Sequence, residues 1–109
     1  AGANSISFYA KGCYYLMQHG LCIGVSDGTG TYYAVIKPSS DWSLYTLTEE
    51  DFYLWADNRI QEDKHPNLDN VKSMSFGIAQ THTPFHVGQL YEYWVTSPSF
   101  QKVLQSYTF

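Results

Sequence analysis

The stretch that most restricts the fold is LCIGVSDGTGTYYAVIK, residues 21–37. Leu21, Ile23 and Val25 alternate with smaller residues, so an extended segment here has one apolar face. Residues 31–37 are β-branched and aromatic, the composition of a strand. Between them SDGTG is turn chemistry, because its glycines accept positive φ at little steric cost. The segment reads as a β-hairpin, ended by KPSSD. A lone hairpin is marginal in water, so the rest of the chain must add strands or cover the apolar face.

VKSMSFGIAQ supplies one more strand, with Met74, Phe76 and Ile78 alternating against Ser73, Ser75 and Gly77. Helix signals dominate elsewhere. In LYTLTEEDFYLWADNRIQEDKHP, Thr48 and Asp51 are spaced like a capping box, and Leu47 and Phe52 like a hydrophobic staple. Glu49, Glu50 and Asp51 suit the first turn of a helix. Phe52, Trp55, Ala56 and Ile60 form a stripe, and the expectation is a helix over 48–63. NSISFYAKGCYYLMQHG has two readings. Ile6, Tyr9, Ala10, Cys13, Leu16 and Met17 fall at helical spacing with Gly20 as the stop, whereas SISFYA also alternates like a strand, and Gly12 interrupts both. The helix is the preferred reading. TPFHVGQLYEYWV and SPSFQKVLQSY look helical as well, the second with Ser97 as cap and Pro98 at the first helical position. The expected fold is a small single α+β domain over residues 1–109: an antiparallel, hairpin-based sheet with three to four helices packed on it.

Charge and motifs narrow the function more by exclusion than by assignment. The formal net charge is −4, and the six Lys and Arg residues are scattered singly. That pattern offers no footprint for a phosphate backbone, so no nucleic acid is expected. No apolar run reaches the ~20 residues of a membrane-spanning helix. Two cysteines and no signal peptide in the sequence make a cytoplasmic origin the expectation. SDGTGTYY lacks the glycine spacing and lysine of a phosphate loop, and no serine sits in a G-x-S-x-G elbow, so no cofactor is expected.

Two constellations resemble chemistry. His82 and His86 in THTPFHVG are four residues apart, as in helical metal pairs. Thr83-Pro84 starts a helix between them, which leaves His82 outside it and removes the shared face a metal pair needs. The expectation is no metal, with His82 and His86 the candidates if one is held. Cys13 is the second. A nucleophilic cysteine wants a helix start and a histidine within reach. If residues 5–10 are a strand, Cys13 opens a short helix and His86 is its candidate partner. The order of Cys13 on a helix and His86 before Val87-Gly88 loosely resembles NlpC-type cysteine hydrolases. That family's Asp-Cys-Ser-Gly is absent, Lys11-Gly12-Cys13-Tyr14 standing in its place, and the chain is not assigned to it. The favoured reading makes Cys13 a small, inert core residue.

Aromatics are the remaining signal, at 17% of the chain with ten tyrosines. Trp42 and Tyr45 fall before the acidic segment, Tyr53 falls off its stripe, and Glu49 and Glu50 add charge beside them. Exposed Tyr and Trp are the stuff of interface hot spots. The expected function is a small non-enzymatic protein-binding module, regulatory, inhibitory or an assembly subunit. Its face would be Trp42, Tyr45, Tyr53, Glu49 and Glu50, and its partner a protein or another copy. A Cys13–His86 hydrolase and a small-ligand binder with a Tyr/Trp-lined pocket are the alternatives.

Overall fold

The computed structural model describes residues 2–57, 59–77 and 92–101, and within them the chain is built on strands rather than helices. Sheet one joins β1 (Ser5–Gly12) to β4 (Ser43–Thr48) on one side and to β8 (Tyr93–Val95) and β9 (Ser99–Gln101) on the other, all antiparallel. Sheet two runs β6 (Arg59–Gln61), β5 (Tyr53–Ala56), β3 (Thr31–Ile36), β2 (Leu21–Ser26) and β7 (Ser73–Gly77). Among the described residues α1 (Tyr14–His19) is the one α-helix, linking β1 of sheet one to β2 of sheet two. The expected α+β fold with three to four helices is therefore wrong, and two antiparallel sheets stand in its place.

The physical reasons are local. In β1, Ile6, Phe8 and Ala10 point inward and are buried, while Tyr9 and Lys11 point outward. The period of two wins over the helical spacing because both flanks of β1 find strands to pair with. Gly12 ends the strand where a Cβ would lie 2.8 Å from Pro38 Cγ. The helix expected over 48–63 is corrected as well. Asp51 accepts hydrogen bonds from the Thr48 N–H at 2.7 Å and the Thr48 hydroxyl at 3.2 Å. This cap launches only a single 3-10 turn, Glu49–Asp51. Phe52 then drops fully into the core and Tyr53–Ala56 pairs with β3 and β6. Ala56 pairs with Arg59, and Asp57 takes a left-handed φ of 55° in the intervening two-residue turn. The hairpin over 21–37 is present as β2 and β3. The helix expected through YEYWV gives way to β8, and the helix expected from Ser97 gives way to β9. Residues 78–91 and 102–109 of those expectations lie outside the described residues.

The inner faces of the sheets share one core. Ile6, Phe8, Ala10 and Leu47 come from sheet one; Leu21, Ile23, Val25, Tyr32, Ala34 and Ile36 come from sheet two. Phe8 meets Phe76 edge to face at 5.4 Å, and the Tyr93 hydroxyl donates to the Phe76 carbonyl at 3.0 Å, so both links cross from sheet to sheet. Each fully buried large apolar side chain contributes about 1.5–3 kcal/mol. Asp27 closes the β2–β3 turn. Its carboxylate accepts from the Thr29 N–H at 2.9 Å, the Thr29 hydroxyl at 2.6 Å and the Asn67 N–H at 2.8 Å.

Candidate functional site

The outer face of sheet one is ordered in rows by its register. Directly opposed residues share a face. Lys11 lies opposite Trp94, Tyr9 opposite Leu44, and Ser7 opposite both Thr46 and Ser99. Ser5 lies opposite Thr48 and Gln101. The face grades from aromatic at the Lys11 end to hydroxyl and amide at the Ser5 end.

At the aromatic end the Lys11 ammonium sits over two indoles, 5.1 Å from the Trp42 ring centre and 5.0 Å from that of Trp94. Such contacts are worth ~0.5–1 kcal/mol at exposed sites, so the pair biases Lys11 toward the position between the two rings. Trp42 is 48% exposed, Trp94 47%, Tyr9 49% and Leu44 56%, so this row and its neighbour stand in solvent.

A β-bulge shapes the polar end. Ala10 pairs with Val95 and Ser7 with Ser99, so Phe8 and Tyr9 face the three residues 96–98. The extra residue shifts the phase of the strand: Trp94 and Thr96 face outward before it, and Ser99 and Gln101 after it. Pro98, which has no N–H to give a ladder, sits in this interruption. Thr96 repairs the ladder, its Oγ1 accepting from the Tyr9 N–H at 2.9 Å while its own N–H donates to the Tyr9 carbonyl at 2.9 Å. The result is a groove of about 380 Å³ lined by Ser7, Phe8, Tyr9, Leu44, Thr46, Thr96, Ser97, Ser99 and Gln101.

The residues expected to form the partner face do not all converge here. Trp42 is in the aromatic row. Tyr45 is on β4 rather than in a loop, turned inward and stacked on Phe8 at 6.0 Å. Glu49 spends its carboxylate on the Leu68 N–H at 2.8 Å, and Glu50 is exposed in the 3-10 turn. Tyr53 is on the outer face of sheet two, its ring 5.4 Å from that of His65. Sequence reasoning passed over Lys11, Trp94, Tyr9 and Leu44. The alternation of SISFYAK carried the signal for Tyr9 and Lys11, but only under the strand reading.

Cys13 and Cys22 are free thiols with opposite surroundings. Cys13 is partly exposed at the start of α1, not in a helical core stripe. Burial pushes its thiol up, but backbone N–H groups of Glu92, Leu16 and Tyr15 outweigh this and hold it below the usual value. The Glu92 N–H lies 3.5 Å from its sulfur. Cys22 is buried on β2, and burial pushes its thiol up to about 11. His82 and His86 lie outside the described residues. Among the described residues no cluster of three or more His, Cys, Asp or Glu is placed to hold a metal, and no helix is long and apolar enough to cross a membrane.

Compared with known proteins, the chain matches no family model, no curated protein and no solved structure.

Proposed function

We propose that this chain is a non-enzymatic binding module that presents the outer face of sheet one to its partner. The observation that carries this reading is the Trp42–Lys11–Trp94 row. Two half-exposed indoles flanking one cation form an amphipathic surface, and Trp is among the residues that dominate binding energy when covered. Pre-organisation matters because a side chain already fixed loses little entropy on binding. A partner protein or a second copy of the chain suits this row. The test compares Trp42→Ala and Trp94→Ala with Tyr53→Ala, which changes the other sheet. Capture of partner from source lysate, and sedimentation at two concentrations, are read beside melting curves. Both tryptophan variants are expected to fold normally and lose association while Tyr53→Ala keeps it. Equal association by all three would overturn the reading.

A Cys13–His86 hydrolase is a second reading, favoured by the position of Cys13 at the junction of β1 and α1 with backbone N–H groups on its sulfur. Its test is the iodoacetamide reactivity of Cys13 in the folded chain, which must fall in His86→Ala if the imidazole activates the thiol.

A further inference from the structure

The groove beside the aromatic row has a floor that carries no charge at neutral pH. Ser7, Thr46, Thr96, Ser97, Ser99 and Gln101 are all hydroxyls or amides. A hydroxyl offers one donor and two acceptor sites, so each can both give and take a hydrogen bond. The floor is also pre-set. Ser7 and Thr46 share a bond at 2.9 Å, Ser7 donates to Gln101 Oε1 at 3.4 Å, and Gln101 Nε2 donates to Ser99 at 3.5 Å. At one end stand the exposed Tyr9 ring and Leu44, and the two indoles follow one strand repeat further on, about 7 Å away.

The charge and hydrogen-bonding pattern selects the occupant. An anion meets a chain of net charge −4, and the nearby cation is already engaged by two rings. An extended peptide that adds as a strand would do so at the margin of the sheet, along β4 or β8 and β9, and not over the groove floor, where β1 is paired on both sides. Apolar peptide anchors need apolar pockets, whereas six of the nine lining residues here are hydroxyls or amides. A ligand that is uncharged, dense in hydroxyls and apolar on the faces of its rings matches floor and rim together. The volume of about 380 Å³ falls within the roughly 300–1,000 Å³ span of small-ligand sites.

Building on the recognition reading of this face, we infer that the groove beside the indole row binds an uncharged saccharide chain, with a sugar ring face on Tyr9 and sugar hydroxyls on the Ser/Thr/Gln floor. The test is native affinity electrophoresis of the full chain in gels containing dextran, galactomannan or hydroxyethylcellulose, with polygalacturonate as the anionic control. At least one neutral polymer is expected to retard the chain independently of salt. Tyr9→Ala and Thr46→Val are each expected to weaken that retardation about tenfold, the factor for one lost contact of ~1.4 kcal/mol. Circular dichroism confirms that both variants fold, and Tyr53→Ala should bind as the parent does. Three outcomes overturn the inference: no retardation by any neutral polymer, equal retardation of the groove variants and the parent, or retardation by polygalacturonate alone that salt abolishes. If no neutral polymer acts while Trp94→Ala still loses its partner, the saccharide assignment falls and the binding-module reading stands.

Discussion

On the outer face of sheet one Trp42 and Trp94 flank the Lys11 ammonium and Tyr9 stands exposed on the same face; on the outer face of sheet two Tyr33 and Trp55 are half-buried. A Cβ built on Gly24 would come within 3.0 Å of the Tyr33 ring, so that ring covers the glycine of the strand beside it. An aromatic laid over a cross-strand glycine restores the packing the missing side chain would have given. Trp55 is half-buried opposite Ile60, and Tyr53 leans on His65. One aromatic-rich composition thus serves two ends. On sheet two the rings complete the shell, and on sheet one Tyr9 borders a groove whose polar side chains a bulge has re-aimed, with the two indoles further along the same face.

The largest contrast between the sheets is between their thiols. Cys13 follows β1 at the start of α1 with its thiol held below the usual value, and Cys22 is buried in β2 with its thiol pushed up to about 11. At pH 8 the larger thiolate fraction favours alkylation of Cys13, and the burial of Cys22 widens the gap. Peptide mapping after brief iodoacetamide treatment should find the label on Cys13, with Cys22 labelled only after unfolding. Equal labelling would erase the contrast.

Asp27 ties the hairpin of sheet two to Asn67, and its removal is the largest stability effect expected from a single polar group. Burial pushes its carboxyl up, but the bonds from Thr29 and Asn67 outweigh this and hold it below the usual range. A depressed carboxylate stabilises the fold above the unfolded value of about 3.9, and that stability is lost as pH falls through the folded value. Asp27→Asn keeps one acceptor oxygen but turns the other into a donor, which must face either the Asn67 N–H or the Thr29 donors, at a cost of about 2–3 kcal/mol at pH 7. The melting temperatures of parent and variant should converge as pH drops below about 4. Asp69, whose carboxyl is held low by the Ala3 and Gly2 N–H groups, lies at the exposed end of the molecule and adds a smaller acid limb of the same sign. A gap between parent and Asp27→Asn that stays constant from pH 7 to pH 3 would show that the charge is not what matters.

How much of this was legible depended on sequence distance. The β2–β3 hairpin was, because its pairing is local and its turn glycines are explicit. The β5–β6 hairpin carried a comparable signal, Asp57-Asn58 between β-forming residues, but the Thr48–Asp51 cap masked it. The cap does form; what it cannot do is hold a helix against the burial of Phe52 and the β propensity of Tyr53, Leu54 and Trp55. In β1 two periodicities fit the same residues, and the choice fell to partners far along the chain, residues 43–48 and 93–101. The aromatic row was hidden for the same reason. Trp42 is recognisable as an exposed loop tryptophan, but Lys11 and Trp94 meet only through the antiparallel register. The outward turn of Ser99 and Gln101 depends on a one-residue bulge that no local pattern announces.

The smallest expected effects bear most directly on the two faces. Tyr33→Ala uncovers Gly24 and removes a half-buried ring, so it should cost about 1–2 kcal/mol, below the ~3–5 of a fully buried aromatic. Tyr9→Ala, in a ring that is 49% exposed, should change stability by no more than about 1 kcal/mol, as surface substitutions do. Both are tyrosines on the outward side of a central strand, so β propensity and side-chain entropy largely cancel between them. The residual difference measures how far each ring is committed to its own sheet. Denaturant midpoints of the two variants, at unchanged slope, give that difference directly. If Tyr9→Ala proves the more costly, its ring is part of the shell, and the face of sheet one loses its claim to be held ready for a ligand.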